Sequence, residues 1–296
     1  MKKYICSFAI VASIFSVWSC KSEFLDTVPT DAIDATSAVS TADNLMNIIN
    51  GMHRDMYYRQ NSSQGQNGQG GIMIMMDALG EDLVFPSTGN GWYISTVRWQ
   101  DQVNENGSND FYPYQFYYAL IRNANIVINS GQNAAGDVAT KNKAIAEAYT
   151  YRAFCHYMLV QLYGGRYVNG SNNTQPGVPI RTDLDYSPKA RNTVEEVYTQ
   201  INADLDAAIG LFTTYTGRAA KSHFDINVAR GMKARVALTQ GNYLIAANNA
   251  SLARTGYSLM SNADYQAGFN VLTNGEWMWG SYIVADQTDY FGNFGA

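Results

Sequence analysis

The sequence predicts a mostly α fold, and three observations carry that expectation. Apolar residues recur at three- and four-residue spacing along most of the chain after residue 40. Capping residues stand where those periods begin, at Thr41, at Thr193 with Glu196 three residues on, and at Asp225. Two Ala-rich helical segments meet across a tight Gly241-Asn242-Tyr243 turn. Small residues (Ala234, Ala237, Ala246, Ala247, Ala250, Ala253) let two helix backbones approach closely. Helix, tight turn and Ala-rich helix is the physical unit of a tetratricopeptide-like repeat. No strict period survives along the chain, so the expected architecture is a degenerate tetratricopeptide-like helical repeat scaffold with long irregular loops.

In chain order, Thr41-Ala42-Asp43 starts a helix through Met56, with Leu45, Ile48, Ile49 and Met52 on one face. A loop rich in Gln, Asn, Gly and Ser follows from Asn61 to Gly71. Ile72 to Leu79 reads as an apolar helix or buried segment, with Met73, Met75 and Met76 as core filler. Residues 80–112 read as irregular, because Gly80, Pro86, Gly89, Gly91 and Gly107 interrupt any period. From Phe116 the reading is helical again, through Leu120, Asn123 and Val127. A long helix runs from Val138 to Tyr163, with Ala148, Tyr151, Cys155, Leu159 and Leu162 on one stripe, and Gly164-Gly165 stops it. Gly177-Val178-Pro179 and Ser187-Pro188 mark a long connection. The helix capped by Thr193 carries the stripe Val194, Val197, Ile201, Leu205, Ala208 and Phe212. Asp225 caps a helix to Gln240, and Tyr243 to Arg254 forms its shorter partner. Trp277 and Trp279 alternate around Met278, which suits a short strand with both rings on one face, in the core.

The N-terminus carries an export signal. Met1-Lys2-Lys3 is a short positive segment, and Tyr4 to Trp18 is uncharged and mostly apolar. That length suits a signal peptide and is too short to span a bilayer. The apolar run ends at Ser19-Cys20, followed by polar Lys21-Ser22-Glu23, the pattern of a lipoprotein cut before Cys20 and lipidated there. Residues 1–19 are then the signal peptide, 20–40 a lipidated tether, and 41–296 the helical domain. The cut removes two lysines and no acid, taking the formal charge from -5 to -7. Of Cys6, Cys20 and Cys155, only Cys155 remains free, so the mature chain forms no internal disulfide and relies on its core. The acidic balance, without a Lys/Arg cluster, argues against nucleic acid as a ligand. Charged residues are 15% of the chain, while Tyr (21) and Gly (25) are plentiful. A surface that is polar without being ionic suits an uncharged, hydroxyl-rich ligand.

Several segments, in order, resemble the SusD/RagB family of outer-membrane glycan-binding lipoproteins. Phe24-Leu25-Asp26 and Pro29-Thr30-Asp31 resemble that family's mature N-terminus. Glu147-Ala148, Arg152-Ala153 and Tyr157, ending at Leu162-Tyr163-Gly164, resemble its signature helix, and Gly177-Val178-Pro179 follows at the expected place. Val194 to Leu205 is similar to its next helix, and Ala234 to Leu238 with Gly241-Asn242-Tyr243 to its most recognisable helix pair. Glu276-Trp277-Met278-Trp279 is similar to the strand that follows. The likeness covers nearly all of residues 20–280. It implies a cell-surface lipoprotein on the outer membrane that binds oligosaccharide and hands it to a SusC-like TonB-dependent transporter. Family members are usually much longer. This chain stops at Phe294-Gly295-Ala296 within polar, aromatic loop sequence, so the C-terminal part is expected to be missing, with an apolar face exposed where it would dock.

A sugar ring offers a face of polarised C–H bonds to an aromatic ring, while amides and carboxylates satisfy its hydroxyls. Trp92 and Tyr93, flanked by Gly89, Asn90 and Gly91, fit that chemistry, and Trp99 beside Arg98, Gln100 and Asp101 fits second. Tyr290 and Phe291 are weaker candidates. The competing reading packs these aromatics onto the helices. Glu147 is expected to pair with Lys143 one turn earlier, and Arg152 to face a neighbouring helix in a structural role. Asn-x-Ser/Thr triplets such as Asn61-Ser62-Ser63 match an acceptor pattern by chance.

Enzyme readings are disfavoured. His53, His156 and His223 lie far apart without metal-ligand spacing. There is no Gly-x-Ser-x-Gly turn, and Cys155 lies mid-helix on an apolar face. No sequence argument excludes the carboxylate pair of a glycosidase, yet nothing points to one. No cofactor or metal is expected, and no acidic cluster supports a calcium ion. The alternatives to glycan capture are a helical-repeat adaptor that binds only protein and a binder of a non-glycan nutrient such as a peptide.

Overall fold

The computed structural model describes residues 37–283, apart from 81, 82, 88, 90, 186 and 216. The signal segment, Cys20 and most of the tether lie outside the described residues, as do Tyr290 and Phe291. The helical body runs from Val39 onward. Among the described residues there are helices and isolated backbone bridges but no strand, as a mostly α fold requires.

Helix α1 (Ala42–Asp55) starts where Thr41 accepts the Asn44 N–H at 3.2 Å. It buries Leu45, Ile49 and Met52. Helix α2 (Gly68–Leu79) begins four residues before the expected apolar segment. The reason lies at Gly68, which turns the chain with φ +51 and lies so close to Met56 that a Cβ there would meet the Met56 carbonyl oxygen at 2.3 Å. Tyr112 donates its hydroxyl to the Gly68 carbonyl from across the core. Gly68→Ala is therefore expected to cost about 1–3 kcal/mol from left-handed strain and overpacking. A urea midpoint unchanged from wild type would refute this. Met75 is buried and Met76 packs on the core, but Met73 is 42% exposed, so one of the three methionines is not core filler.

Residues 80–112 are less irregular than expected. A short helix α3 (Ile94–Val97), a 3-10 turn (Asp101–Val103) and the start of α4 (Ser108–Gly131) fall there. Helix α4 runs through Pro113 with Tyr112 and Pro113 both buried. Proline is a break signal in a helix because it lacks the N–H and crowds the preceding turn. Burial of the neighbouring aromatics overrides that signal here.

Helix α5 (Val138–Tyr163) is the centre of the body. Lys143 to Val160 are buried on every side except at Tyr149, the mark of a core helix. It packs against α4, α1 and α6 (Val194–Phe212). Thr193 and Glu196 form the expected capping box, and the predicted stripe of α6 is buried throughout.

Helices α7 (Ile226–Thr239) and α8 (Tyr243–Ala253) pack as a pair across Gly241, whose φ is +72. Ala234, Ala237, Ala246 and Ala253 are buried as expected, whereas Ala247 and Ala250 face outward. Helix α8 also turns Tyr243, Leu244 and Leu252 to solvent. A last short helix α9 spans Asn262–Gln266.

The expected strand at Trp277 to Trp279 is absent from the described residues, and the two rings part company. Trp279 packs on Phe154 and Phe224 and donates its indole N–H to the Ser222 carbonyl at 3.1 Å. Trp277 packs on Phe269. Alternation needs a paired neighbour to hold it as a strand, and no strand stands beside this segment among the described residues.

Candidate functional site

The loop from Asn61 to Gly71 and the turn into α3 meet in one cleft. Asn61 and Ser62 both take positive φ, of 50 and 55, and reverse the chain before Gly65. Tyr93 also takes a left-handed conformation, φ 55, at the start of α3. Its hydroxyl donates to the Gly65 carbonyl at 3.2 Å. A side chain at Gly65 would lie 3.4 Å from both Trp92 and Tyr93, so the glycine lets the two aromatics close over the loop. The rings of Trp92 and Tyr93 stand 6.4 Å apart, tilted by 45°. They line a cavity of about 300 Å³ with Ser63, Gly65, Gly91, Ser95 and Asn109.

Asp101 holds the far side. Its carboxylate accepts from Ser95 at 3.2 Å, Thr96 at 2.5 Å and Asn109 at 3.1 Å. That network fixes α3 on the start of α4. The cleft thus combines two half-buried aromatic rings with hydroxyl and amide groups, which suits an uncharged polyol.

Of the residues singled out from sequence, Trp92 and Tyr93 come together here. Asn90 lies outside the described residues. Trp99 does not join them in the lining of the cavity; it stands after α3 with φ 57 and is 62% exposed. Ser63, Gly65, Ser95 and Asn109 carry no sequence signal of their own for this cleft. The polar, glycine-rich composition of the Asn61–Gly71 loop was the available signal, but which loop it meets is a tertiary fact.

A larger cavity, about 410 Å³, lies between α4 and residues 179–189. None of the sequence-predicted residues lines it. Several of its polar groups are engaged in local structure. Arg181 donates to the carbonyls of Asp185 and Ser187, Lys189 pairs with Asp183 at 2.5 Å, and Tyr118 donates to the Pro179 carbonyl. Size alone does not decide between the two cavities, since polar groups in both are engaged in local structure.

Inside the body, Glu147 does not pair with Lys143 as expected. Its carboxylate contacts His53 Nε2 at 3.1 Å and His223 Nδ1 at 3.0 and 3.1 Å, and accepts the Phe224 N–H at 3.2 Å. Lys143 turns instead to the Tyr215 ring and hydroxyl. Burial pushes the Glu147 carboxyl upward, but hydrogen bonds from His223 and His53 outweigh it and hold it below its ordinary value. Burial also holds His53 below its ordinary value. Arg152 bears out its structural reading. It forks onto Asp204 at 2.9 and 2.6 Å and donates to Asn125 Oδ1 at 2.9 Å, tying α5 to α6 and α4. Cys155 is fully buried, and burial pushes its thiol well above the usual range, as an inert core cysteine requires.

Residues 23–238 match the family model SusD-like_3, described as starch-binding and associating with the outer membrane. The chain belongs to the SusD-like family. Solved members share its fold. A SusD-like carbohydrate binding protein from Bacteroides vulgatus ATCC 8482 superposes with a TM-score of 0.74 at 24% identity, over 84% of this chain and 52% of its own. A SusD superfamily protein from Bacteroides thetaiotaomicron VPI-5482 gives 0.69 at 22%, over 83% and 54%. A laminarin binding SusD-like protein gives 0.58 at 20%, over 76% and 47%. The chain therefore spans about half the length of these SusD-like structures. No curated protein matches it in sequence. Among the described residues no helix of this SusD-like chain is long and apolar enough to cross a membrane.

Proposed function

We propose that the chain captures an oligosaccharide at the cell surface, held to the outer membrane by lipid on Cys20, and hands it to a SusC-like TonB-dependent transporter. The cleft formed by Trp92 and Tyr93 over the Ser63–Gly65 loop carries this reading. It offers ring faces for sugar C–H bonds and, beside them, the hydroxyls of Ser63 and Ser95 and the amide of Asn109. Family membership supports it, because the family is described as starch-binding and associating with the outer membrane. The laminarin-binding relative shares the fold. Starch and laminarin are both uncharged glucans, the ligand chemistry such a cleft suits.

Affinity electrophoresis of the full chain in mild detergent, through gels carrying starch or laminarin, tests the reading. Retardation by one of them is expected. Trp92→Ala should weaken it at least about tenfold, which corresponds to about 1.4 kcal/mol. Retardation equal in wild type and variant would move the site away from this cleft. Migration unaffected by either polysaccharide, in a chain that remains helical by circular dichroism, would count against both of these glucans as ligands.

A further inference from the structure

We propose that His53, Glu147 and His223 form a buried site for one divalent metal ion of the zinc type. The three ligands come from α1, from α5 and from the loop before α7, and all three side chains are buried. His53 Nε2, His223 Nδ1 and Glu147 Oε2 are mutually 3.1 Å apart. They form an equilateral triangle. The edge of a tetrahedron of ligands around zinc, with bonds of about 2.0–2.1 Å, is about 3.3 Å. A point about 2 Å from all three atoms lies about 1 Å out of their plane, which is the position of a tetrahedral ion with one corner left for a water.

The chemistry of the surroundings agrees with that geometry. A ligating imidazole holds its other nitrogen on a hydrogen-bonding partner, and His53 Nδ1 lies 2.5 Å from the Tyr151 hydroxyl. Glu147 is a carboxylate with no exposed surface, and a buried charge needs an opposite one. Its ion-pair partners are histidines, which carry no permanent charge. With a proton on each facing nitrogen, both imidazole N–H groups aim at one carboxylate with their nitrogens 3.1 Å apart, two like dipole ends side by side; with a proton on one alone, a bare nitrogen faces the carboxylate at 3.1 Å. A cation shared by three lone pairs removes that conflict. Two nitrogens and one carboxylate oxygen suit zinc or cobalt better than calcium, which favours six to eight oxygens.

The test is to strip the purified full chain with EDTA, dialyse it against Co²⁺, and record the visible spectrum. Metal content of the unstripped chain is measured alongside. One Co²⁺ per chain with intense tetrahedral ligand-field bands is expected, together with a thermal midpoint lowered by EDTA and restored by Zn²⁺. His223→Gln should abolish the bands while the helical circular dichroism remains. His53→Gln is the second variant should the first fail to fold. A folded wild-type chain that takes up no Co²⁺ and melts alike with EDTA and Zn²⁺ overturns the proposal. Bands that survive in both folded variants overturn it equally.

Discussion

Arg152→Met is expected to destabilise the chain by about 3–5 kcal/mol, the cost of stranding one half of a buried ion pair. Arg152 and Asp204 are each almost wholly buried. The guanidinium presents two parallel N–H groups to the two Asp204 oxygens and a third to Asn125. Burial pushes the Asp204 carboxyl up, and Arg152 pulls against it. Removing Arg152 leaves Asp204 with the Gln200 amide as its remaining side-chain donor, and it leaves the Asn125 oxygen without the bond from Arg152. Because the pair joins three helices, the loss falls on the packing of α4, α5 and α6 together. Asp204→Leu added to Arg152→Met should recover part of the loss, since an apolar pair of similar volume avoids burying charge. Urea midpoints of the two variants measure both statements. A single-variant cost below about 1 kcal/mol, the size of an exposed pair, would mean that the bond carries no more than a surface bridge.

Acid should begin to weaken the fold through His156 above the range in which carboxylates protonate. This imidazole is fully buried, and burial together with the nearby Arg152 charge lowers its pKa from 6.5 to about 3. Its hydrogen bonds fix the neutral form. Nδ1–H donates to the Arg152 carbonyl at 3.0 Å, and Nε2 accepts the Arg181 N–H at 3.4 Å. A proton on Nε2 would face that donor. Below pH 6.5 the unfolded chain takes up a proton that the folded chain refuses. Stability from this group is whole above 6.5 and falls by about 1.4 kcal/mol per pH unit as the pH drops towards about 3. Between pH 6.5 and about 4.5 the loss is roughly 2 kcal/mol. His156→Gln should be less stable at neutral pH, yet lose less on acidification. Denaturation midpoints of the two chains against pH decide it. Parallel curves would show that His156 takes up its proton in the folded chain as readily as in the unfolded one.

The helices were largely readable because their signals are local. A cap at Thr41, Thr193 or Asp225 acts within three residues, and the stripe on α6 is a matter of period alone. The misread segments are those where a distant contact outvotes the local sequence. The helix read from Phe116 begins at Ser108, in a turn where Tyr112 is buried and bonded to Gly68. Trp277 and Trp279 form no strand because no second strand receives them: Trp279 packs on Phe154 and Phe224, and Trp277 on Phe269. The candidate cleft was half legible. Trp92 and Tyr93 stood out as loop aromatics among glycines. Trp99 had the same local look and lines no part of the cleft.

The sequence by itself determined the helical class, most helix starts and ends, the free core cysteine, and a family likeness spread over the chain. These follow from short-range hydrogen bonding and from the 3.6-residue period. Only the tertiary structure decided which groups meet. Ser63 and Gly65 face Trp92 because left-handed turns at Asn61, Ser62 and Tyr93 bring two loops together. His53 and His223, 170 residues apart, meet on Glu147. The physical reason is that burying a charged or polar group costs far more than any local preference returns, so its partners are chosen by the packing of the whole body.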